Sequence, residues 1–137
     1  MNEPVTREQA MRLKKVGFDL PVSTYYQDSN NERRGFRGSR VNNFNNIVIY
    51  ENCYSVPTIH EALMWAMEKF GLYGYVVYYT FKEVPDENSR WFYYIDDLST
   101  KIDLLFDFKY FQTYQLAHSD CLDAVLTEIE RRVNDGK

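Results

Sequence analysis

Three stretches of the chain carry apolar residues at helical spacing. The clearest stretch has apolar side chains at steps of three and four residues, as a helix with one buried face requires: Ile59, Ala62, Leu63, Ala66, Met67 and Phe70. Thr58 and Glu61 form a capping-box signature at its start, and Gly71 can supply the left-handed residue that ends a helix. The pattern therefore predicts a helix over 59–70.

Two further helices are predicted towards the ends of the chain. Thr6 and Gln9 form a second capping box, and the helical spacing that follows continues to Gly17, so a helix is expected over residues 7–16. Thr113 is a suitable N-cap for a third helix that runs to about Val133. Its apolar stripe consists of Ala117, Cys121, Leu122, Val125, Leu126, Ile129 and Val133.

Aromatic and β-branched residues form two runs, 75–81 and 90–95, with the polar segment 82–89 between them. This composition is typical of a β-hairpin, and the two runs are expected to pair antiparallel. Further strand candidates are 22–26, 46–50 and 102–111. The element order predicts an α+β fold in which an antiparallel β-sheet of about four to five strands has three helices packed chiefly on one face.

The segment 27–46 is rich in Asp, Asn, Ser, Gly and Arg and has no apolar periodicity. Such a composition predicts a flexible polar Arg/Asn-rich loop. The whole chain has 137 residues, which suits one α+β domain over 1–137 that contains this loop.

Charge and composition limit the function classes. The chain has 16 Lys and Arg against 20 Asp and Glu, so its net charge of −4 does not favour wrapping around a polyanion. No run is long and apolar enough for a signal peptide or a membrane span. Two cysteines are too few for a disulfide scaffold. We expect a cytoplasmic protein with reduced thiols, no membrane partner and no cofactor.

Sulfur and imidazole side chains are the first candidate chemistry. Cys53, His60, His118 and Cys121 are all the cysteines and histidines of the chain. Their spacings, C-x₆-H and H-x₂-C, differ from the short Cys and His pairs that are typical of zinc sites. No metal site is predicted from them.

Acidic side chains are the second candidate. Asp96 and Asp97 end a predicted strand, and Asp103 and Asp107 follow soon after. If such carboxylates converge, they can hold a divalent cation or share acid–base work. A small metal-dependent hydrolase that uses Asp96, Asp97 and either histidine is therefore one alternative function. The sequence has no catalytic motif, so an enzyme is not expected and no catalytic residue is assigned.

A basic segment suggests a second alternative. Arg33, Arg34, Arg37 and Arg40 lie within eight positions, with Phe36 among them, and without their charges the net charge of −4 would become −8. Arginines can contact phosphates while an aromatic ring stacks on bases, which would suit single-stranded nucleic acid. A solvated loop explains the same residues, and the acidic remainder of the chain argues against nucleic acid as the main partner.

Aromatic residues are the compositional peculiarity of the chain, which has 12 Tyr, 9 Phe and 2 Trp. Helices cover only one face of a small sheet, so the second face of the hairpin should stay partly exposed. The residues expected there are Tyr78, Phe92 and Tyr94, or their alternates Tyr79 and Tyr93. Exposed aromatic patches mark interfaces, although segment 27–46 could equally cover this one. The leading hypothesis is a small non-enzymatic interaction protein that binds a protein partner or a second copy of itself.

Three segments carry a resemblance to one protein group. They read T-R-E-Q-A-M-R-L-K-K-V-G-F-D-L-P, S-V-P-T-I-H-E-A-L-M-W-A-M-E-K-F-G and F-Q-T-Y-Q-L-A-H-S-D-C-L-D-A-V-L. With the aromatic hairpin, they resemble small uncharacterised proteins from gut Bacteroidetes and their phages or mobile elements. This chain departs from the group in segments 27–46 and 102–111. The resemblance implies a small α+β protein of unknown function that belongs to the cargo of a mobile element, and it brings no activity and no catalytic residue with it.

Overall fold

The computed structural model describes residues 3–27, 32–35, 45, 53–80, 87–103 and 109–136. In these ranges the protein is α+β, with three helices and six short strands. The helices are α1 (Arg7–Lys15), α2 (Ile59–Phe70) and α3 (Tyr114–Asp135). The strands are β1 (Thr24–Gln27), β2 (Glu32–Gly35), β3 (Cys53–Ser55), β4 (Leu72–Tyr78), β5 (Trp91–Asp97) and β6 (Ile102–Asp103).

All three predicted helices are confirmed, and so are their N-cap threonines and the end of α2 at Gly71; α1 ends at Lys15, one residue before the predicted end, and α3 continues two residues beyond Val133. The Thr6 hydroxyl accepts a hydrogen bond from the Gln9 N–H, and the Gln9 side chain accepts one from the Thr6 N–H. Thr58 and Glu61 form the same reciprocal pair at the start of α2. Gly71 ends α2 with a positive φ of 70°, a conformation that glycine adopts without steric cost.

The described strands form two antiparallel sheets, in the orders β2-β1-β3 and β4-β5-β6. The predicted hairpin is confirmed as β4 and β5. The expectation of one sheet of four to five strands is not met among the described strands. The expected loop over 27–46 is wrong for residues 32–35, which pair with β1. Strand β3 was not predicted. The strand candidate 46–50 lies outside the described residues. The candidate 102–111 contains β6, but its residues 104–108 lie outside the described residues.

Among the described strands β3 is an edge strand, and side chains bond to its outer edge. The Lys14 Nζ donates to the Cys53 carbonyl at 2.9 Å, and the Asn45 Oδ1 accepts from the Ser55 N–H at the same distance. The Val56 N–H, one residue further along, donates to Thr24 O of β1. Bonded residues alternate along an antiparallel ladder, so the Cys53 C=O and the Ser55 N–H point away from β1. Two outward groups of β3, the Cys53 C=O and the Ser55 N–H, are thus bonded by side chains.

Helices α2 and α3 pack on one face of the β4–β5 pair, and Gly74 lies where they come closest. A Cβ atom at Gly74 would lie 2.7 Å from the Cys121 Sγ, 3.0 Å from Val125 Cγ2 and 3.3 Å from Leu63 Cδ2. Both helices therefore contact the sheet at this one position. The absence of a side chain lets the helices approach the strand, so the core is built around a glycine.

Helix α1 is attached to α3 through polar groups. Gln9 is 1% exposed, and its Nε2 donates to Ser119 O at 3.0 Å, Ser119 Oγ at 3.1 Å and Asp123 Oδ1 at 3.0 Å. Beside it, the Arg12 guanidinium makes two hydrogen bonds to the Glu130 carboxylate, at 2.7 and 2.9 Å. One glutamine thus caps its own helix and joins it to another.

We expect Gly74→Ala to lower the free energy of unfolding by about 1–3 kcal/mol, because the new methyl group would overpack the contact with Cys121. Urea unfolding measures the effect. Replacing Cys121 with Ala in the same chain removes the nearest atom, so the double variant should lose less stability than the sum of the two single variants. Additive losses would show that the close approach at Gly74 is not the cause.

We expect Gln9→Glu to destabilise the protein by about 1–3 kcal/mol, since it removes the buried donor and sets a carboxylate against Asp123. The capping oxygen is kept, so the loss would come from the contact with α3. Urea unfolding compares this variant with Glu61→Gln, which makes the inverse change at the exposed capping box of α2. A loss of equal size in both variants would contradict the special role of Gln9.

Candidate interaction surface

The register of β4 and β5 separates their side chains onto two faces. Tyr75 is opposite Tyr94, and Val77 is opposite Phe92. Gly74 faces α2 and α3, so residues one position away from it in β4 lie on the other face. This surface is turned away from both helices, and we call it the outer aromatic face. Together with the rings that contact it, the face consists of Tyr73, Tyr75, Tyr79, Phe92, Tyr94 and Tyr110.

Ring contacts run without a break across the outer aromatic face. The centroids of Tyr73 and Tyr75 are 4.8 Å apart in a stacked arrangement, and those of Tyr75 and Tyr94 are 5.6 Å apart. Phe92 then lies 5.2 Å from Tyr94. The Phe92 ring also makes edge contacts with Tyr79 at 6.0 Å and Tyr110 at 5.8 Å. These distances are favourable for aromatic pairs, so the six rings hold one another in place.

Burial differs between the centre and the border of this face. Phe92 is only 5% exposed, and the rings of three tyrosines contact it. The five tyrosines are half-buried. Half-buried tyrosines combine an apolar ring with a hydroxyl group that can reach water or a partner.

The predicted grouping of Tyr78, Phe92 and Tyr94 on one exposed face is wrong. Tyr78 is opposite Trp91 in the register and therefore lies on the helix-facing side, where it is 47% exposed because it ends the strand. Phe92 and Tyr94 do share the outer aromatic face, although Phe92 is buried. Of the two alternates, Tyr79 contacts Phe92, whereas Tyr93 is buried and donates to Asp120 Oδ2 at 2.7 Å.

A second chain of rings lies on the helix-facing side. Tyr78 contacts Trp91 at 4.8 Å, Trp91 contacts Tyr114 at 5.5 Å, and Tyr114 contacts His118 at 4.9 Å. His118 is 4% exposed, and this burial lowers the pKa of its imidazole, as does the charge of His60. The imidazole is therefore held neutral inside the fold.

The cysteines and histidines do not form a metal site in the part of the chain that the structure describes. Among these residues no group of three or more His, Cys, Asp or Glu side chains could hold a metal ion. Cys121 is fully buried in the core, and burial raises the pKa of its thiol. Burial also raises the pKa of Cys53. Both cysteines are therefore less reactive than an exposed thiol.

The acidic candidates at the end of β5 separate into different roles. The Asp97 carboxylate accepts hydrogen bonds from Ser99 Oγ at 2.6 Å and from Arg132 Nη2 at 2.7 Å. These bonds, the one from Ser99 foremost, lower the pKa of Asp97. Asp97 thus joins the turn after β5 to α3. Asp96 is opposite Asp103 in the sheet register, and Asp107 lies outside the described residues.

The arginine segment is described only at its start. The backbones of Arg33 and Arg34 belong to β2, opposite Tyr26 and Tyr25 of β1. Phe36, Arg37 and Arg40 lie outside the described residues. The nucleic-acid alternative stays a prediction from the sequence.

No family model, curated protein or solved structure matches the chain. Within the described ranges, no helix combines the length and the apolar character needed to cross a membrane. The function that we propose below therefore depends on the geometry of the outer aromatic face and on the sequence.

Replacing His118 with Asn should weaken the acid dependence of stability. The neutral imidazole is favoured in the fold, so below the ordinary pKa of 6.5 the unfolded chain binds more protons than the folded one. The free energy of unfolding of the wild type should then fall as the pH decreases from 6.5 to the lower pKa of the folded state. Urea unfolding at about pH 7 and about pH 5 measures this fall.

The matched control for this prediction is His60→Asn, because His60 is exposed at the start of α2. It should keep most of the acid-dependent loss, whereas His118→Asn should show a smaller one. If both variants lose as much stability as the wild type between the two pH values, the buried imidazole is not responsible.

Proposed function

We propose that the protein is a small non-enzymatic interaction module that binds a protein partner through its outer aromatic face. The observation that carries this proposal is the unbroken contact of six rings on the side of the sheet opposite α2 and α3. Aromatic residues, tyrosine among them, are enriched at protein–protein interfaces.

The arrangement of the rings favours binding for a further reason. Each tyrosine of the face already contacts another ring, so its side chain has lost part of its rotational freedom before any partner arrives. Binding then costs less conformational entropy than it would with flexible side chains. The buried Phe92 supports the tyrosines from the centre.

The six rings of the face are uncharged, which indicates the chemistry of its partner. One end of the strand pair is acidic, because Asp96 is opposite Tyr73 of β4 and also opposite Asp103 of β6. A largely apolar partner surface with hydrogen-bonding groups at its border would fit it best. An accessory role in a phage or mobile element is part of the proposal and depends on the sequence resemblance alone.

The test uses the double variant Tyr75→Ser/Tyr94→Ser, which removes two neighbouring rings from the middle of the face. A partner that co-purifies with the wild-type protein should bind this variant at least about tenfold more weakly, since central aromatic residues contribute most of the affinity at interfaces. Calorimetry with the purified partner gives both affinities.

Tyr78→Ser is the matched control, because it removes an exposed tyrosine from the opposite side of the same strand. It should bind the partner as the wild type does. Circular dichroism establishes that both variants are folded. Equal affinity of the folded double variant and the wild type would exclude the outer aromatic face as the binding surface.

A further inference from the structure

The hydrogen bonds at the two ends of the β4–β5 ladder show which backbone groups of β4 point outward. The Tyr79 N–H donates to Arg90 O at 2.7 Å, and the Leu98 N–H donates to Gly71 O at 2.8 Å. In an antiparallel ladder the bonded pairs alternate, so odd-numbered residues of β4 bond to β5. The N–H and C=O groups of even-numbered residues therefore point away from the sheet.

The outward edge of β4 has a buried part and an open part. Leu72 and Gly74 are buried, whereas Val76 is half-buried, and Tyr78 and Thr80 are exposed. Among the described residues, no hydrogen bond reaches the outward backbone groups of Val76, Tyr78 or Thr80. The open edge thus extends over residues 76–80.

This edge differs from that of β3, where the side chains of Lys14 and Asn45 bond the Cys53 C=O and the Ser55 N–H. Proteins commonly protect exposed edges with charged residues, proline or covering side chains. Residues 76–80 read V-V-Y-Y-T and contain neither a charge nor a proline. Among the described strands, the outer edge of β3 is thus partly covered by side chains, whereas the open edge over residues 76–80 presents donors and acceptors that no described residue bonds.

We infer that β4 pairs antiparallel with β4 of a second copy of this protein across residues 76–80. With Tyr78 at the two-fold axis, the two Tyr78 backbones exchange both hydrogen bonds, and each Val76 bonds to Thr80 of the other copy. The same outward groups occur on both copies, so the pairing is self-complementary. The neutral segment brings no like charges together at the axis.

The pairing has a geometric consequence for the surface described above. Residues opposite each other in an antiparallel pair project on the same side of the sheet. The outer aromatic faces of the two copies would therefore lie side by side on one joined sheet. The inference goes beyond the proposed function, which requires no particular oligomeric state.

Tyr78→Pro tests the pairing directly. Proline removes the outward N–H of residue 78, which takes no part in the ladder with β5. Tyr78→Ser is the matched control, because it removes the ring and keeps the N–H. In sedimentation equilibrium at about 1–100 µM, the wild type and Tyr78→Ser should form reversible dimers, and Tyr78→Pro should dimerise at least about tenfold more weakly.

Hydrogen–deuterium exchange of the wild type gives a second measurement that needs no variant. The amides of Val76, Tyr78 and Thr80 should become protected as the protein concentration rises, whereas those of Tyr73, Tyr75 and Val77 should be protected at every concentration because they bond to β5. This result would support the pairing even if Tyr78→Pro did not fold.

Two results would overturn the inference: a wild-type protein that stays monomeric over the whole range, or a folded Tyr78→Pro that dimerises as tightly as the wild type. Dimers that depend on Tyr75 and Tyr94 but tolerate Tyr78→Pro would exclude the edge and leave the outer aromatic face as the contact. Loss of the dimer in Tyr78→Pro, with no effect of Tyr75→Ser/Tyr94→Ser on partner binding, would support the edge and refute the proposed function.

Discussion

The close approach of α3 to β4 at Gly74 is the contact on which the arrangement of the other elements depends. Cys121 and Val125 of α3 occupy the space that a side chain at this position would fill. Once α3 lies there, its other sides are available to the remaining elements. One flank binds α1 through Gln9 and Arg12, and the C-terminal end holds the turn after β5 through Arg132 and Asp97. A single helix thus contacts α1, the sheet and the turn after β5.

The same contact decides which aromatic residues stay near the surface. Because α2 and α3 both pack on the Gly74 side of the sheet, the alternate side chains of β4 and β5 have no helix over them in the described part of the fold. Tyrosine is suited to this position, since its ring packs against neighbouring rings and its hydroxyl tolerates water. The outer aromatic face is therefore a consequence of how the helices are placed, in addition to being a feature of composition.

The helices could be predicted from the sequence because their signals are local. Two capping boxes, one N-cap threonine and Gly71 lie within a few residues of the ends that they determine. The division of the described strands between two sheets could not be predicted, since it depends on contacts between residues distant along the chain, such as Lys14 with Cys53, 39 positions away. Likewise, alternation placed Phe92 and Tyr94 together correctly, but the position of Tyr78 required the register between the strands, which no single strand encodes.

The double role of Gln9 has a consequence for the order in which the fold can be completed. Its amide reaches Asp123, 114 residues further along the chain, and both other acceptors are on Ser119 of the same helix. During synthesis α1 is made before α3, so the groups that bind its buried side emerge 110 to 114 residues later. Its capping box can form early, but a short helix is only marginally stable in water on its own. Closing so long a loop is entropically costly, and the contact of α1 with α3 can form only after α3 has been synthesised.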